Sequence, residues 1–241
     1  MILTTVSRAL SPSTSRVFWR VGTKRKGILD VQLDFEHEDC ELLAELVAMR
    51  HLLFERQVLG RAPGSGSGYR LVVSKGAIKK LAKGRSSKRH ALKYAAFLTS
   101  RMQGVEIEVS QSMEFMPDLE EQAPEILEAE RENYAQTHDP VETPAMGTVY
   151  VTAHAVEQYA KRISTGDPKK PWASLVGRLQ HPELKMWPLP EKVLRHKARK
   201  YGRADNVEAW GHEHSKFTYL VVNNDGRRTL VTVFENEKER L

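Results

Sequence analysis

Two short runs of alternating or continuous apolar residues near the start of the chain predict a β-hairpin. Residues 16–21 and 28–35 have the length and the β-branched and aromatic content of strands. Between them lies the segment 22–27, which begins and ends with glycine and has a charged centre, as expected of a turn. A further strand is predicted at residues 2–6.

From residue 39 the apolar positions change to a helical period. A helix is predicted over 39–58 from one wide apolar stripe formed by Leu42, Leu43, Leu46, Val47, Met49, Leu52 and Leu53. The glycine-rich segment 60–68 predicts a flexible loop. The elements predicted after it are a strand at 69–73, helices at 75–83 and 87–102, and a strand at 105–110.

Residues 113–147 are predicted to form an acidic connector between two domains. This segment contains Pro117, Pro124, Pro140 and Pro144. Since proline is well suited to a first helical turn, we expect one helix at about 124–136. The remainder, 137–147, is predicted to be a linker.

The second half, 148–241, predicts a smaller α+β domain that closes with an antiparallel sheet. Thr152 is the last residue of a predicted strand at 148–152 and is expected to cap a helix over 153–163. Pro171 begins a helix that extends to Leu179. Strands are predicted at 207–214, 217–223 and 228–234, the last two joined by the Asn-Asn-Asp-Gly turn at 223–226.

Composition excludes several classes of protein. Apolar residues make up 40% of the chain, enough for real cores, yet no run approaches the roughly 18–20 apolar residues of a membrane helix. The N-terminus lacks the pattern of a signal peptide. The single cysteine, Cys40, excludes an internal disulfide and a zinc site of several thiolates, and we expect it to be buried. The expected location is therefore cytoplasmic, without membrane contact and without a cofactor.

Charge is distributed in three blocks. Residues 70–101 contain ten Lys or Arg and no acid, whereas 106–142 contain twelve acids and one base, and 161–203 contain twelve bases against three acids. One interpretation is three solvated faces. The other is two phosphate-attracting surfaces, with RNA favoured over DNA, joined by an acidic segment that can also bind a protein partner.

The candidate RNA-binding residues come from the two basic blocks. They are Lys75, Lys79, Lys80, Lys83, Arg85, Lys88, Arg89, Lys93, Arg195, Lys197, Arg199, Lys200, Tyr201 and Arg203. Tyr94 is a further ring in the first block, for which base stacking and core packing are the alternatives.

The first half resembles the ribonuclease H family. The resemblance rests on the order of predicted elements, on the Ala-rich helix of residues 40–49 opening with Glu41, and on the strand 69–73 with its following turn. It implies a mixed sheet with helices over 1–112 and a site where carboxylates hold two Mg²⁺ ions. Thr5 and Ser74 stand where that site needs aspartates, and Lys75 would repel cations. We therefore expect a degenerate site without metal-dependent nuclease activity.

The second half resembles small phage and bacterial domains related in outline to RelE-type toxins. The resemblance rests on residues 152–163, which begin a helix with His154 and carry Arg162, and on the closing strands. It implies RNA cleavage without metal, which requires a base, an acid and cations. The candidates are His154, Arg162, His212 and Tyr219, with a structural role for each as the alternative.

His212 and His214 fall on one face of a predicted strand, but spacing supplies no third ligand, so no metal site is predicted. The leading hypothesis is a single-stranded RNA-binding protein of a phage or mobile element, without catalysis in its first half. The alternatives are a metal-independent endoribonuclease with its site in the second half, and an interaction protein acting through the acidic segment.

Overall fold

The computed structural model describes residues 1–136, 138–163, 170–189, 191, 194–195, 199 and 205–235. The chain divides into two compact units, Met1–Thr137 and His138–Leu241, each built on its own six-stranded mixed sheet with helices. This agrees with the mixed α/β class that the sequence predicts. Within the described ranges, no helix combines the length and apolar character needed to cross a bilayer.

The sheet of the first unit starts with an antiparallel meander. Its strands are β1 (Ile2–Ala9), β2 (Thr14–Val21), β3 (Arg25–Leu33), β4 (Arg70–Val73), β5 (Glu106–Val109) and β6 (Glu125–Ala129). The spatial order is β5-β4-β1-β2-β3-β6, with β4 parallel to β1, β5 parallel to β4 and β6 parallel to β3. The predicted hairpin between β2 and β3 is confirmed. Gly27 faces Trp19 there, and a Cβ at this position would lie 2.7 Å from the indole ring.

Helix α1 (Cys40–Arg50) forms the centre of the first unit. Every residue from Leu42 to Met49 is buried, and most of them are aliphatic side chains of one core cluster that packs against the sheet. Cys40 is buried as predicted, and burial raises the pKa of its thiol. The helix predicted to reach residue 58 changes at residue 51 into a π-helical turn, His51–Glu55.

The helix predicted at 87–102 is not continuous. After α2 (Gly76–Ala82), the chain forms a 3₁₀ turn at Arg89–Leu92 and a short helix α3, Ala96–Thr99. The side chains that would share one face of the predicted helix, Ala91, Tyr94, Ala95 and Leu98, are all buried. The apolar period of this segment therefore reports burial, although the continuous helix that it predicts is wrong. Arg89 and Lys93 are a like-charge pair four positions apart, which opposes a regular helix by only about 0.2–0.5 kcal/mol, and burial of the four inward side chains does not itself require one.

The prediction of an acidic connector with one helix is wrong. Residues 125–129 form β6, which pairs with β3, and only the short turn α4 (Arg131–Tyr134) is helical. The predicted linker at 137–147 contains β7 (Asp139–Thr143), which pairs with β8 (Gly147–Val151). Alternate residues of β7 are buried, the period of a strand with one face in a core. The unit boundary therefore falls after residue 137, inside the predicted connector.

The elements described in full for the second unit are two helices and a sheet of order β7-β8-β12-β11-β10-β9. The helices are α5 (Ala153–Arg162) and α6 (Pro171–Leu179), and the remaining strands are β9 (Lys185–Trp187), β10 (Val207–Gly211), β11 (Phe217–Asn224) and β12 (Arg227–Glu235). Thr152 caps α5 as predicted, since its hydroxyl accepts a hydrogen bond from the Ala155 amide at 3.0 Å. The closing strands are antiparallel, as expected, and β12 is parallel to β8.

We expect the first unit to require the strand that lies beyond the predicted boundary. A chain shortened to residues 1–112 loses β6 and leaves the edge of β3 unpaired, whereas a chain of residues 1–136 keeps the sheet complete. Cooperative urea unfolding, followed by circular dichroism, should be seen for 1–136 and be lost or shifted to much lower urea for 1–112. Equal unfolding midpoints for the two chains would contradict this assignment of β6.

Candidate nucleic-acid interface

Glu45 occupies the point where α1 faces the adjacent strands β1 and β4. Its Oε1 accepts hydrogen bonds from the Thr5 hydroxyl at 2.8 Å and the Ser74 amide at 2.7 Å, and its Oε2 accepts one from the Ser74 hydroxyl at 2.7 Å. The side chain is fully buried. Burial raises the pKa of Glu45, and the hydrogen bonds from Ser74 and Thr5 oppose that shift.

The resemblance to ribonuclease H assigns its helix carboxylate to Glu41, which lies one turn before the buried Glu45. Glu41 accepts a hydrogen bond from the Ala9 amide and pairs with the Lys75 ammonium at 2.9 Å. Thr5 and Ser74 do lie together as expected, but around Glu45. Hydroxyls and an ammonium therefore surround the buried carboxylate, and this donor set does not suit a pair of Mg²⁺ ions, which bind carboxylate oxygens.

The first basic block divides into paired and exposed cations. Lys75 is held by Glu41, and the Lys88 ammonium lies 2.6 and 2.5 Å from the two oxygens of Asp39, which also contacts His90 Nε2 at 3.0 Å. Lys75 and Lys88 are therefore largely neutralised within the fold. The members whose side chains are exposed are Lys79, Lys80, Lys83, Arg85, Arg89 and Lys93.

A cavity of about 560 Å³ gathers part of this block with residues from elsewhere in the first unit. Arg89 and Lys93 line it together with Arg131, the one base of the acidic segment. Glu36 and Glu132 also line the cavity, so carboxylates balance part of its positive charge. Arg131 is absent from the RNA-binding residues predicted from sequence because it lies in the predicted connector. In the structure it directly follows β6, which pairs with β3 in the sheet.

Four rings lie side by side at this cavity. The His90 and His37 ring centroids are 4.3 Å apart, those of His37 and Phe35 are 6.2 Å apart, and those of Phe35 and Tyr94 are 6.5 Å apart. The Arg131 guanidinium lies 4.2 Å from the centroid of Phe35. Tyr94 is 5% exposed, so the core-packing interpretation of this residue is correct. His37, His90 and Phe35 are the accessible part of the row.

The candidate catalytic residues of the second unit have four different environments. His154 is exposed in the first turn of α5, and the Arg162 guanidinium binds back to Gln158 of the same helix. Tyr219 is 1% exposed and burial strongly raises the pKa of its hydroxyl, so this group is not available to a bound RNA. His212 follows the end of β10 and contacts Glu183 at 3.1 Å. It lies in a turn, since the strand predicted to extend to residue 214 ends at Gly211.

The second basic block is described only in part. Arg195 and Arg199 are exposed, and Arg195 lies 3.7 Å from Glu191. The candidates that lie outside the described residues are Lys197, Lys200, Tyr201 and Arg203.

No model of a known protein family, no curated protein and no solved structure matches this chain.

The buried Glu45 side chain leads us to expect that the stability of the first unit depends on pH. Because the pKa of Glu45 is raised in the folded state, ionising it opposes folding, and this group favours the folded state most below the ordinary pKa of 4.5. Its contribution is lost as pH rises through the raised value. Glu45→Gln keeps the shape and does not titrate, so the free energy of unfolding of wild type should fall relative to that of Glu45→Gln as pH rises above about 4.5, the ordinary pKa of the group.

The matched variant is Glu45→Ala, which leaves the Thr5 hydroxyl and the Ser74 amide without their buried acceptor. It should destabilise the first unit by about 3 kcal/mol at neutral pH. Urea unfolding at several pH values measures both effects. A difference between wild type and Glu45→Gln that does not change with pH would contradict the raised pKa.

Proposed function

We propose that this protein binds single-stranded RNA, and that the first unit provides the main contact surface through the cavity lined by Arg89, Lys93 and Arg131. The observation that carries the proposal is the row of rings at this cavity, flanked by cations. A protein that binds single strands without cutting them needs this combination, because the cations attract the phosphates while unpaired bases stack on ring faces.

The ring row supports a single-stranded ligand more than a duplex. Bases in a duplex are stacked on each other and do not present their faces to a protein, whereas unpaired bases do. His37 and His90 are accessible at the cavity, and each has a flat face of the kind that stacks with a base. The exposed lysines 79, 80 and 83, in and just after α2, extend the cationic surface beyond the cavity.

The first unit also supports the proposed likeness to ribonuclease H in its topology. Three antiparallel strands, the buried helix α1, and the parallel strands β4 and β5 next to β1 follow the order expected of that fold. In this proposal β6 is an addition at the opposite edge. The proposed fold is used for binding, because Thr5 and Ser74 fill the carboxylate positions and are hydrogen-bonded to Glu45.

The acidic segment has an ordinary structural role in this proposal. Glu125 and Glu128 lie on β6, the last strand of the sheet order, and charged side chains on an edge strand discourage pairing with another chain. Glu125 also pairs with Arg56 at 2.8 Å. These contacts favour RNA binding over the alternative of an interaction protein that acts through its acidic residues.

RNA affinity should depend on the cavity cations. Arg89→Glu combined with Lys93→Glu should weaken binding of a labelled single-stranded RNA by at least about tenfold in fluorescence anisotropy, with a smaller dependence on salt, because phosphate contacts are lost. The matched control is Lys24→Glu combined with Arg61→Glu, which makes the same change in net charge at two exposed positions away from the cavity. It should weaken binding only slightly.

Equal weakening by the two double variants would show that net charge alone attracts RNA, and would contradict a site at the cavity. Single-stranded DNA of the same sequence and duplex RNA are run beside the RNA in each titration. Tighter binding of either competitor would contradict the proposed ligand.

The first unit should not cleave nucleic acid with divalent metal. Wild-type protein incubated with an RNA–DNA hybrid and Mg²⁺ or Mn²⁺ should leave the hybrid intact on a denaturing gel, because one buried carboxylate cannot hold two ions. A ribonuclease H of known activity serves as the positive control. Cleavage of the hybrid by wild type that is lost in Glu45→Gln would contradict this prediction.

A further inference from the structure

Strand register in the second unit brings together two histidines and one glutamate, side chains of the types that bind metal ions. Lys185, the first residue of β9, lies opposite Gly211, the last residue of β10. The residues just before β9 and just after β10 therefore emerge at the same end of the strand pair. These residues are His181, Glu183 and His212.

The three side chains form a compact group. One ligand atom from each lies within 4.8 Å of the others. His212 Nε2 is 3.1 Å from Glu183 Oε2, and the two imidazole centroids are 4.3 Å apart. The Glu183 side chain is 70% exposed and that of His212 is 17% exposed, so the group is open to solvent on one side and supported by the fold on the other.

We propose that His181, Glu183 and His212 form a binding site for one divalent transition-metal ion, with Zn²⁺ as the ion that tests it. Two imidazoles and one carboxylate are a donor set that zinc accepts, with a fourth position left for water. Ligand atoms around a tetrahedral zinc ion lie about 3.4 Å apart, as follows from bonds of about 2.0–2.1 Å. No distance between ligand atoms of the observed group has to change by more than about 1.4 Å to reach that spacing.

Coordination through Nε2 requires a change of tautomer in both histidines. Nδ1 of His181 lies 3.2 Å from the Glu183 amide and Nδ1 of His212 lies 3.1 Å from the His214 amide, so both accept hydrogen bonds. Binding through Nε2 places the ring proton on Nδ1, and these two exposed contacts are given up. The Nε2 atom of His212 already faces Glu183, so that side chain needs no large rotation to coordinate.

A second group of similar composition in the first unit is a poorer site. His37, Asp39 and His90 also lie within 4.8 Å of one another. Both oxygens of Asp39 are held by the Lys88 ammonium, which places a positive charge where a metal ion would be. The group of His37, Asp39 and His90 therefore serves as an internal comparison for the proposed site at His181, Glu183 and His212.

The test is zinc binding by the purified full chain after treatment with a chelator, measured by competition with a chromophoric zinc indicator. Wild type should bind one Zn²⁺ with a dissociation constant in the micromolar range or below. His181→Ala combined with His212→Ala should remove this binding, and Glu183→Gln, at a largely exposed position, should weaken it by at least about tenfold. His154→Ala removes an exposed histidine from the same unit and should leave binding unchanged.

His37→Ala combined with His90→Ala is the comparison that separates the two groups, and it should retain the bound zinc. Thermal unfolding of the metal-free proteins shows whether each variant is folded. If the His181–His212 double variant is unfolded, zinc binding by Glu183→Gln tests the proposed site in its place. Loss of zinc in the His37–His90 variant, or equal zinc binding by wild type and Glu183→Gln, overturns the proposal.

Discussion

Three hydrogen bonds to the buried Glu45 carboxylate join the parts of the first unit. The donors come from Thr5 on β1 and from both the amide and the hydroxyl of Ser74 at the end of β4. A buried carboxylate without such partners would be very costly, so the helix and the two strands fit together only where these groups meet. The aliphatic residues that surround Glu45 on α1 supply the burial. Under the proposed likeness to ribonuclease H, these contacts occupy the positions of metal-binding carboxylates.

The cationic character of the first unit depends on a local balance of charge. Asp39 lies just before α1 and holds Lys88 together with His90, while Glu41 holds Lys75. These pairs fix one part of the basic block against the fold and leave the other part exposed. Two of the exposed cations, Arg89 and Lys93, line one cavity together with a row of rings and the guanidinium of Arg131. Charge pairing therefore decides which members of a uniformly basic stretch can meet a phosphate.

In the second unit, strand pairing places polar side chains that are distant in sequence next to one another. Helices α5 and α6 lie on a sheet whose parallel pair, β8 and β12, is flanked by antiparallel strands. The Thr152 hydroxyl accepts from the Ala155 amide and donates to the carbonyl of Leu230, so one side chain caps α5 and ties it to the sheet. At the other edge, the pairing of β9 with β10 brings together histidines that are 31 positions apart in the chain, 181 and 212. The two units are thus organised around different polar groups, each positioned by neighbouring strands.

The sequence by itself determined the elements whose signals are local. The hairpin of β2 and β3, the buried helix α1, the cap at Thr152 and the helix beginning at Pro171 all depend on residues close to one another in the chain. Tertiary structure decided the rest. β6 was misread as a helix because an acidic strand is stabilised by pairing with β3, a partner more than 90 positions away. Glu45, Arg131 and the histidine group at His181 acquired their significance in the same way, since the atoms that they contact belong to distant strands and turns. Local periodicity reports which face of an element is buried, but not which polar groups the fold brings against it.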